Sequence, residues 1–276
     1  MLSEPNLDGG FRRFLADREL AALTARDRSG RLWVAPLVGE PGYLDAHAKT
    51  LRVHVAPTAA DPLDQLPAGQ PIGLIAIEFA TRRRVRINGL LTKAAANELE
   101  IAVDQAFGNC PQYIQRRIFA EHPSDNAPAT AEPARWTSQL APEHESIVHR
   151  ADTFFLGTVH PHRGADASHR GGTRGFVRVE DGQLWWPDYP GNNMFNSLGN
   201  LAVDKTAALL FIDFTTGSSL QLSGTAEVDW IRPGTPGDDG GTGRRVRFTP
   251  DRIVLGAAPA LRTETVEPYV RNPSLT

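Results

Sequence analysis

Apolar residues along this chain fall in short runs broken by Gly and Pro, not in the long stripes that surface helices need. The runs at 20–26, 32–38, 51–55, 72–79 and 84–91 read as strands, and a second set follows at 154–159, 175–179, 183–186, 207–214 and 219–230. Their Val, Ile, Phe and Trp content at this spacing predicts a mainly β chain built as a small barrel. Helices are expected at 11–19 and 143–152, one ahead of each strand set. A third is expected at 92–107, where Leu99, Val103 and Phe107 recur at i, i+4 and i+8. Met194, Leu198 and Leu201 predict a short helix after the turn Pro190-Gly191-Asn192-Asn193.

The two strand sets are copies of one unit. Residues 73–89 (GLIAIEFATRRRVRING) align without a gap on residues 208–224 (ALLFIDFTTGSSLQLSG). Upstream, Gly39, Gly42 and Tyr43 fall on Gly172, Gly175 and Phe176, and residues 61–66 fall on 193–198. This divides the chain into a first repeat with its following segment at 8–118, a Pro- and Ala-rich surface linker at 119–142, and a second repeat at 143–265. Small barrels often pair about a two-fold axis, and a duplicated chain can make that pair internally.

Positions where the copies diverge are candidates for function. Residues 167–172 (ASHRGG) lie over residues 34–39 (VAPLVG), so Ser168, His169 and Arg170 replace Ala35, Pro36 and Leu37. A hydroxyl, an imidazole, a guanidinium fork and close-approaching glycine backbone are groups that bind phosphate. The Asn192-Asn193 turn ahead of a short helix is a second anion-friendly element. Cys110, in Gly-Asn-Cys-Pro, reads as inert packing near the barrel interface, with a redox role as the alternative. Tyr113, Gln115 and Arg116 read as an exposed helix start or as groups within reach of a ligand. Arg82, Arg84 and Arg86 alternate with Val85 and Ile87, which points them to one face of a strand; a solvated barrel face is the default reading, and a second anion or partner surface the alternative.

Composition narrows the partners. The chain has 276 residues, 41% of them hydrophobic and 22% charged, which is globular. A formal charge of −3 offers no basic field for nucleic acid. One cysteine excludes a disulfide framework and a cysteine-rich metal cluster. No apolar run approaches the ~20 residues that span a bilayer, and the start MLSEPNLDGGFRR does not read as a signal peptide. The expectation is a cytoplasmic protein without a membrane partner. His160 with His162, and His144 with His149, lack a third ligand at metal-binding spacing, so no metal is expected. No nucleophile elbow, Walker loop or dinucleotide fingerprint occurs.

Residues 166–172 (DASHRGG), 175–179 (GFVRV) and 187–201 (PDYPGNNMFNSLGNL) resemble the pyridoxamine 5′-phosphate oxidase-like, FMN-binding split-barrel superfamily, in its flavin-nucleotide-binding branch. Residues 107–117 (FGNCPQYIQRR) look like a segment of the same branch. The resemblance implies tandem six-stranded antiparallel split barrels with short helices, forming an internal pseudo-dimer with FMN in the groove between them. Ser168, His169, Arg170, Gly171, Asn192, Asn193 and Ser197 would then hold the phosphate and ribityl chain, and Trp186 and Tyr189 would lie against the ring. The implied activity is flavin-dependent oxidoreduction, fed by NAD(P)H or a partner reductase. A non-catalytic flavin carrier and a haem- or deazaflavin-binding barrel are the alternatives, and the pseudo-dimer could itself form a homodimer. The end VEPYVRNPSLT lacks the arginine-rich segment expected of true pyridoxamine phosphate oxidases, which argues against pyridoxal-phosphate synthesis.

Overall fold

Antiparallel strands build both halves of the computed structural model, which describes residues 5–120, 133–191, 195–257 and 261–276. The first half runs α1 (Gly10–Ala16), β1 (Leu20–Arg26), β2 (Leu32–Val38), β3 (Leu44–His47), β4 (Thr50–Val53), β5 (Pro71–Glu78), β6 (Arg83–Ala95) and β7 (Glu98–Gly108). Two short strands follow, β8 (Arg116–Phe119) and β9 (Arg135–Thr137). The second half runs α2 (Pro142–Arg150), β10 (Thr153–His160), β11 (Gly164–Gly171), β12 (Arg178–Glu180), β13 (Gln183–Pro187), α3 (Asn196–Leu201), β14 (Thr206–Asp213), β15 (Ser218–Trp230), β16 (Arg244–Ala257) and β17 (Thr263–Glu267).

The sheet paths are β2-β1-β5-β6-β7-β4-β3 and β11-β10-β14-β15-β16-β13-β12, the same order in each copy and antiparallel throughout. Each path counts seven strands, one more than the expected six. The bounds of β14 and β15 lie 135 residues after those of β5 and β6, end for end. Both second hairpin strands carry a bulge at the same place, Asn88/Gly89 and Ser223/Gly224. A Cβ on either glycine would strike a neighbouring carbonyl oxygen, that of Ala102 or Thr249. Only glycine fits there, which is why Gly89 and Gly224 align.

The central strands are buried on both faces. From β5, Ile72, Leu74 and Ala76 enter the first barrel core while Ile75 and Ile77 point the other way. From β14, Ala207, Leu209 and Phe211 enter the second core while Ala208, Leu210 and Ile212 meet the outward residues of β5 in a third cluster between the barrels. The contacts are reciprocal: β11 lies on β5 and β6, and β2 lies on β14 and β15. That is the pattern of an isologous dimer interface, here within one chain.

Three expectations change. Residues 92–107 are not helical: β6 continues to Ala95 and β7 begins at Glu98. Leu99, Ile101 and Val103 are buried, while Ala102 and Asp104 are exposed. A spacing of four is even, so the Leu99–Val103–Phe107 series satisfies a strand as well as a helix. The segment at 119–142 is more than a surface linker, because its residues 135–137 form β9 and pair with Ile253–Leu255 of β16. Trp136 of β9 meets buried Trp33 of the first barrel edge to face at 5.8 Å. Finally, Gln115 and Arg116 do not start a helix. Arg116 opens β8, which pairs with β17, and buried Gln115 binds Tyr269 N–H, Asn272 and the Gly172 carbonyl. Among the described residues no helix is long and apolar enough to cross a membrane.

Candidate functional site

The reciprocal packing creates a groove of about 300 Å³ where the end of β11 faces β6 of the other barrel. The segment 109–113 after β7, the segment 187–191 after β13 and the start of β16 complete its walls. His169, Arg170, Gly171, Trp186, Tyr189 and Ser197, all expected from sequence, line it together. Ser168 lies just behind, fully buried, its hydroxyl accepting from Ser197 Oγ at 3.1 Å. Asn192 and Asn193, with Met194, lie outside the described residues. The helix that follows is present as α3.

Arg84 and Arg86 correct the solvated-face expectation. Strand alternation does put them on one side of β6, but that side abuts β11. Arg86 Nη1 donates to both oxygens of Asp166, at 3.0 and 3.3 Å, and Asn88 Nδ2 and Ser197 Oγ donate to the same carboxylate at 3.4 and 3.3 Å. Arg84 Nη1 donates to His169 Nδ1 at 2.8 Å, and its Nη2 donates to the Cys110 carbonyl at 2.9 Å. An arginine is always a donor, so His169 Nδ1 accepts and the ring proton sits on Nε2, 3.4 Å from Thr153 Oγ1. Burial, with Arg84 and Arg117 adding to it, holds the imidazole well below its usual pKa, so His169 is neutral.

Four guanidinium groups (Arg84, Arg86, Arg170, Arg244) gather at this groove against two carboxylates. Asp166 pairs with Arg86, while Asp188 pairs with Arg244 at 2.9 Å and lies 4.0 Å from Arg170. Arg84 has only neutral acceptors. Its pKa is pushed down to about 9, by burial first and then by Arg86 and Arg170. Arg170 is also lowered, chiefly by burial. Buried Nε atoms of Arg84, Arg86 and Arg170 have no hydrogen-bond partner, and neither has the Tyr189 hydroxyl. This is an uncompensated cationic site, and an anion of about two charges would balance it.

The opposite wall is aromatic. The Tyr113 and Tyr189 rings lie 4.9 Å apart, and Tyr113 Oη donates to the Pro190 carbonyl at 2.7 Å. Trp186 is a core residue that shows one side to the groove. Tyr113 adopts a left-handed φ of 62°, and its carbonyl comes so close to Gly171 that any Cβ there would collide. That approach is the physical reason for glycine after Arg170. Cys110 is half-buried and lines the groove beside Arg84. The Gly-rich loop at 233–243 is tied down: Asp238 accepts from the N–H groups of Gly234 and Gly243, and Asp239 pairs with Arg178. Sequence reasoning passed over Asp166, Asp188 and Arg244, and for Arg84 and Arg86 it put a solvated face ahead of the anion or partner surface it gave as the alternative. The repeat held the signal, since Arg84 and Arg86 lie over Ser219 and Gln221, and Asp166 lies over Trp33.

Residues 140–230, from the approach to α2 through the end of β15, match the family model described as pyridoxamine 5′-phosphate oxidase. Among solved structures the chain is similar to HupZ of Group A Streptococcus, at 14% identity over 44% of this chain and 98% of that one, with a TM-score of 0.34. It is similar to the FAD binding protein from Mycobacterium smegmatis, at 12% identity over 46% and 99%, TM-score 0.31. It is also similar to HutZ, the heme storage protein from Vibrio cholerae, at 14% identity over 44% and 97%, TM-score 0.32. No curated protein matches the chain in sequence.

Proposed function

We propose that this chain, whose residues 140–230 match the pyridoxamine 5′-phosphate oxidase family model, binds one flavin nucleotide, FMN, in the groove between its barrels and works as a flavin-dependent oxidoreductase. The excess of two buried guanidinium charges over carboxylates is the observation that carries this reading. A phosphate monoester brings −1.5 to −2 charges and three strong acceptors, which suits that excess. Arg170 is the principal phosphate ligand, with the Gly171 backbone beside it. Ser168 and Ser197 act from behind by fixing Asp166, and His169 acts by aiming Arg84.

The residues fit the group. Unpartnered donors on Arg84, Arg86 and Arg170 await an acceptor, and the Tyr113–Tyr189 wall offers a flat ring a partner. Bound there, the flavin would supply the electron transfer, while the protein positions it and sets the charge around it. Arg84, donated by the first barrel, would place a positive charge near the ring. Burial raises the pKa of both tyrosines, so their hydroxyls stay protonated as donors. The electron donor proposed is NAD(P)H or a reductase.

A carrier role is the second reading, and one observation favours it. Both ring nitrogens of His169 are engaged, which leaves the groove without a free imidazole for proton transfer. The same engagement leaves His169 no nitrogen for a haem iron. Absorption spectroscopy with FMN titration tests the proposal. One FMN per chain, with riboflavin bound at least tenfold more weakly, is expected. Two per chain, or no preference for the phosphate, overturns it. Turnover of NAD(P)H by the loaded protein separates oxidoreductase from carrier.

A further inference from the structure

A second chamber, of about 570 Å³, lies between α1 and the ends of β6 and β7 and shares Arg84 and Asn109 with the flavin groove. In the other repeat β9 lies beside the end of β16, pairing with Ile253–Leu255, and its Arg135 binds Glu143 of α2. The chamber's floor is apolar, with buried Phe14 and Val85 and half-buried Phe11. Its rim is cationic, with Arg82, Arg83 and Arg84 against a single lining carboxylate, Asp8. Arg82 is held by the carbonyls of Ile114 and Glu267, so its charge meets no carboxylate there. Arg83 is exposed and lies 5.1 Å over the Phe14 ring. On the shared wall, Arg84 Nε and Asn109 Oδ1 are buried without partners.

We propose that this chamber binds the substrate, an organic anion with a flat apolar body such as an aromatic carboxylate. The proposal rests on the flavin reading of the adjoining groove. The ring lies on half-buried Phe11, and the carboxylate meets Arg83, which with Arg18 covers the Phe14 ring, at the rim. An uncharged amide of the same shape loses the charge-assisted contact, which is the stronger kind of hydrogen bond.

Fluorescence titration with 2-naphthoate, against 2-naphthamide, tests this on the FMN-free and FMN-loaded protein. Naphthoate is expected to bind at least tenfold more tightly than the amide, and Arg83→Gln to remove most of that difference. Gly108→Phe fills the chamber from an exposed strand position where a Cβ meets nothing closer than 3.9 Å. It is expected to weaken naphthoate at least tenfold and leave FMN uptake unchanged. Equal affinity for acid and amide, or naphthoate binding indifferent to Gly108→Phe, overturns the chamber while the flavin reading stands. Naphthoate binding without any FMN uptake by the wild type overturns the flavin reading, and the substrate role with it.

Discussion

Two grooves related by the internal repeat have gone opposite ways. In the second-repeat groove Arg170, His169 and Asp166 of β11 face Arg84 and Arg86 of β6. In its mirror image Leu37, Pro36 and Trp33 of β2 face Ser219 and Gln221 of β15. Gln221 spends its amide on the Val34 carbonyl and on Asp61, at 2.9 and 3.0 Å. Trp33 is capped by Trp136 from β9. One groove holds more guanidinium charge than carboxylate charge, while the other has exchanged charge for packing. Retaining an unpaired buried cation costs stability, and the fold does so once. This contrast teaches that the backbone repeat and the chemical repeat are separable.

The hardest way to break the contrast is to give the active groove its mirror's residue at Arg86. Arg86→Gln, the counterpart of Gln221, strands buried Asp166 with only neutral donors. A loss of about 3 kcal/mol or more in denaturant unfolding is expected, largely recovered by adding Asp166→Asn.

Arg170→Leu, which copies Leu37, should fold normally and cost on the order of 1.5–3 kcal/mol in FMN affinity, or about ten- to a hundredfold. Unchanged affinity in a folded variant would falsify the phosphate role.

The mirror groove makes its own prediction. Asp61, where the other repeat has Asn193, is pushed up to about 7 by burial. A carboxyl with a raised folded pKa binds its proton more tightly when folded, so its contribution is greatest below the unfolded value near 3.8. That contribution is lost as pH climbs to about 7. Asp61→Asn should therefore flatten stability between pH 4 and 7 and raise the thermal midpoint at pH 8 by several degrees. Identical pH profiles for variant and wild type would remove Asp61 from the account.

The smallest effect is expected from Trp136→Ala. Its ring is 56% exposed, and the edge-to-face contact with Trp33 should be worth about 0.5–1.5 kcal/mol. FMN binding should not change, which calorimetry with and without FMN would check.

Much of this was legible in sequence, for specific reasons. The 73–89 and 208–224 hairpins aligned because a bulge glycine and an uninterrupted register admit no insertion. Residues 167–172 stood out because divergence within a repeat marks chemistry where periodicity marks packing. The helix expected at 92–107 failed because apolar residues four apart fit both periods. Alternation along β6 told which arginines share a side, but nothing local told what that side would meet. The answer lay in β11, some eighty residues away, and only the paired fold brings Asp166 and His169 to it. Strand β9 was hidden in a Pro- and Ala-rich segment whose pairing partner follows more than a hundred residues later.

The third apolar cluster, which joins the barrels, has a consequence in mass action. A site assembled from two separate chains vanishes when the protein is diluted below the dissociation constant of the pair. Here the halves are tethered, so each sees the other at a fixed effective concentration whatever the total amount of protein. Ligand capacity per chain should then be the same at nanomolar and millimolar protein.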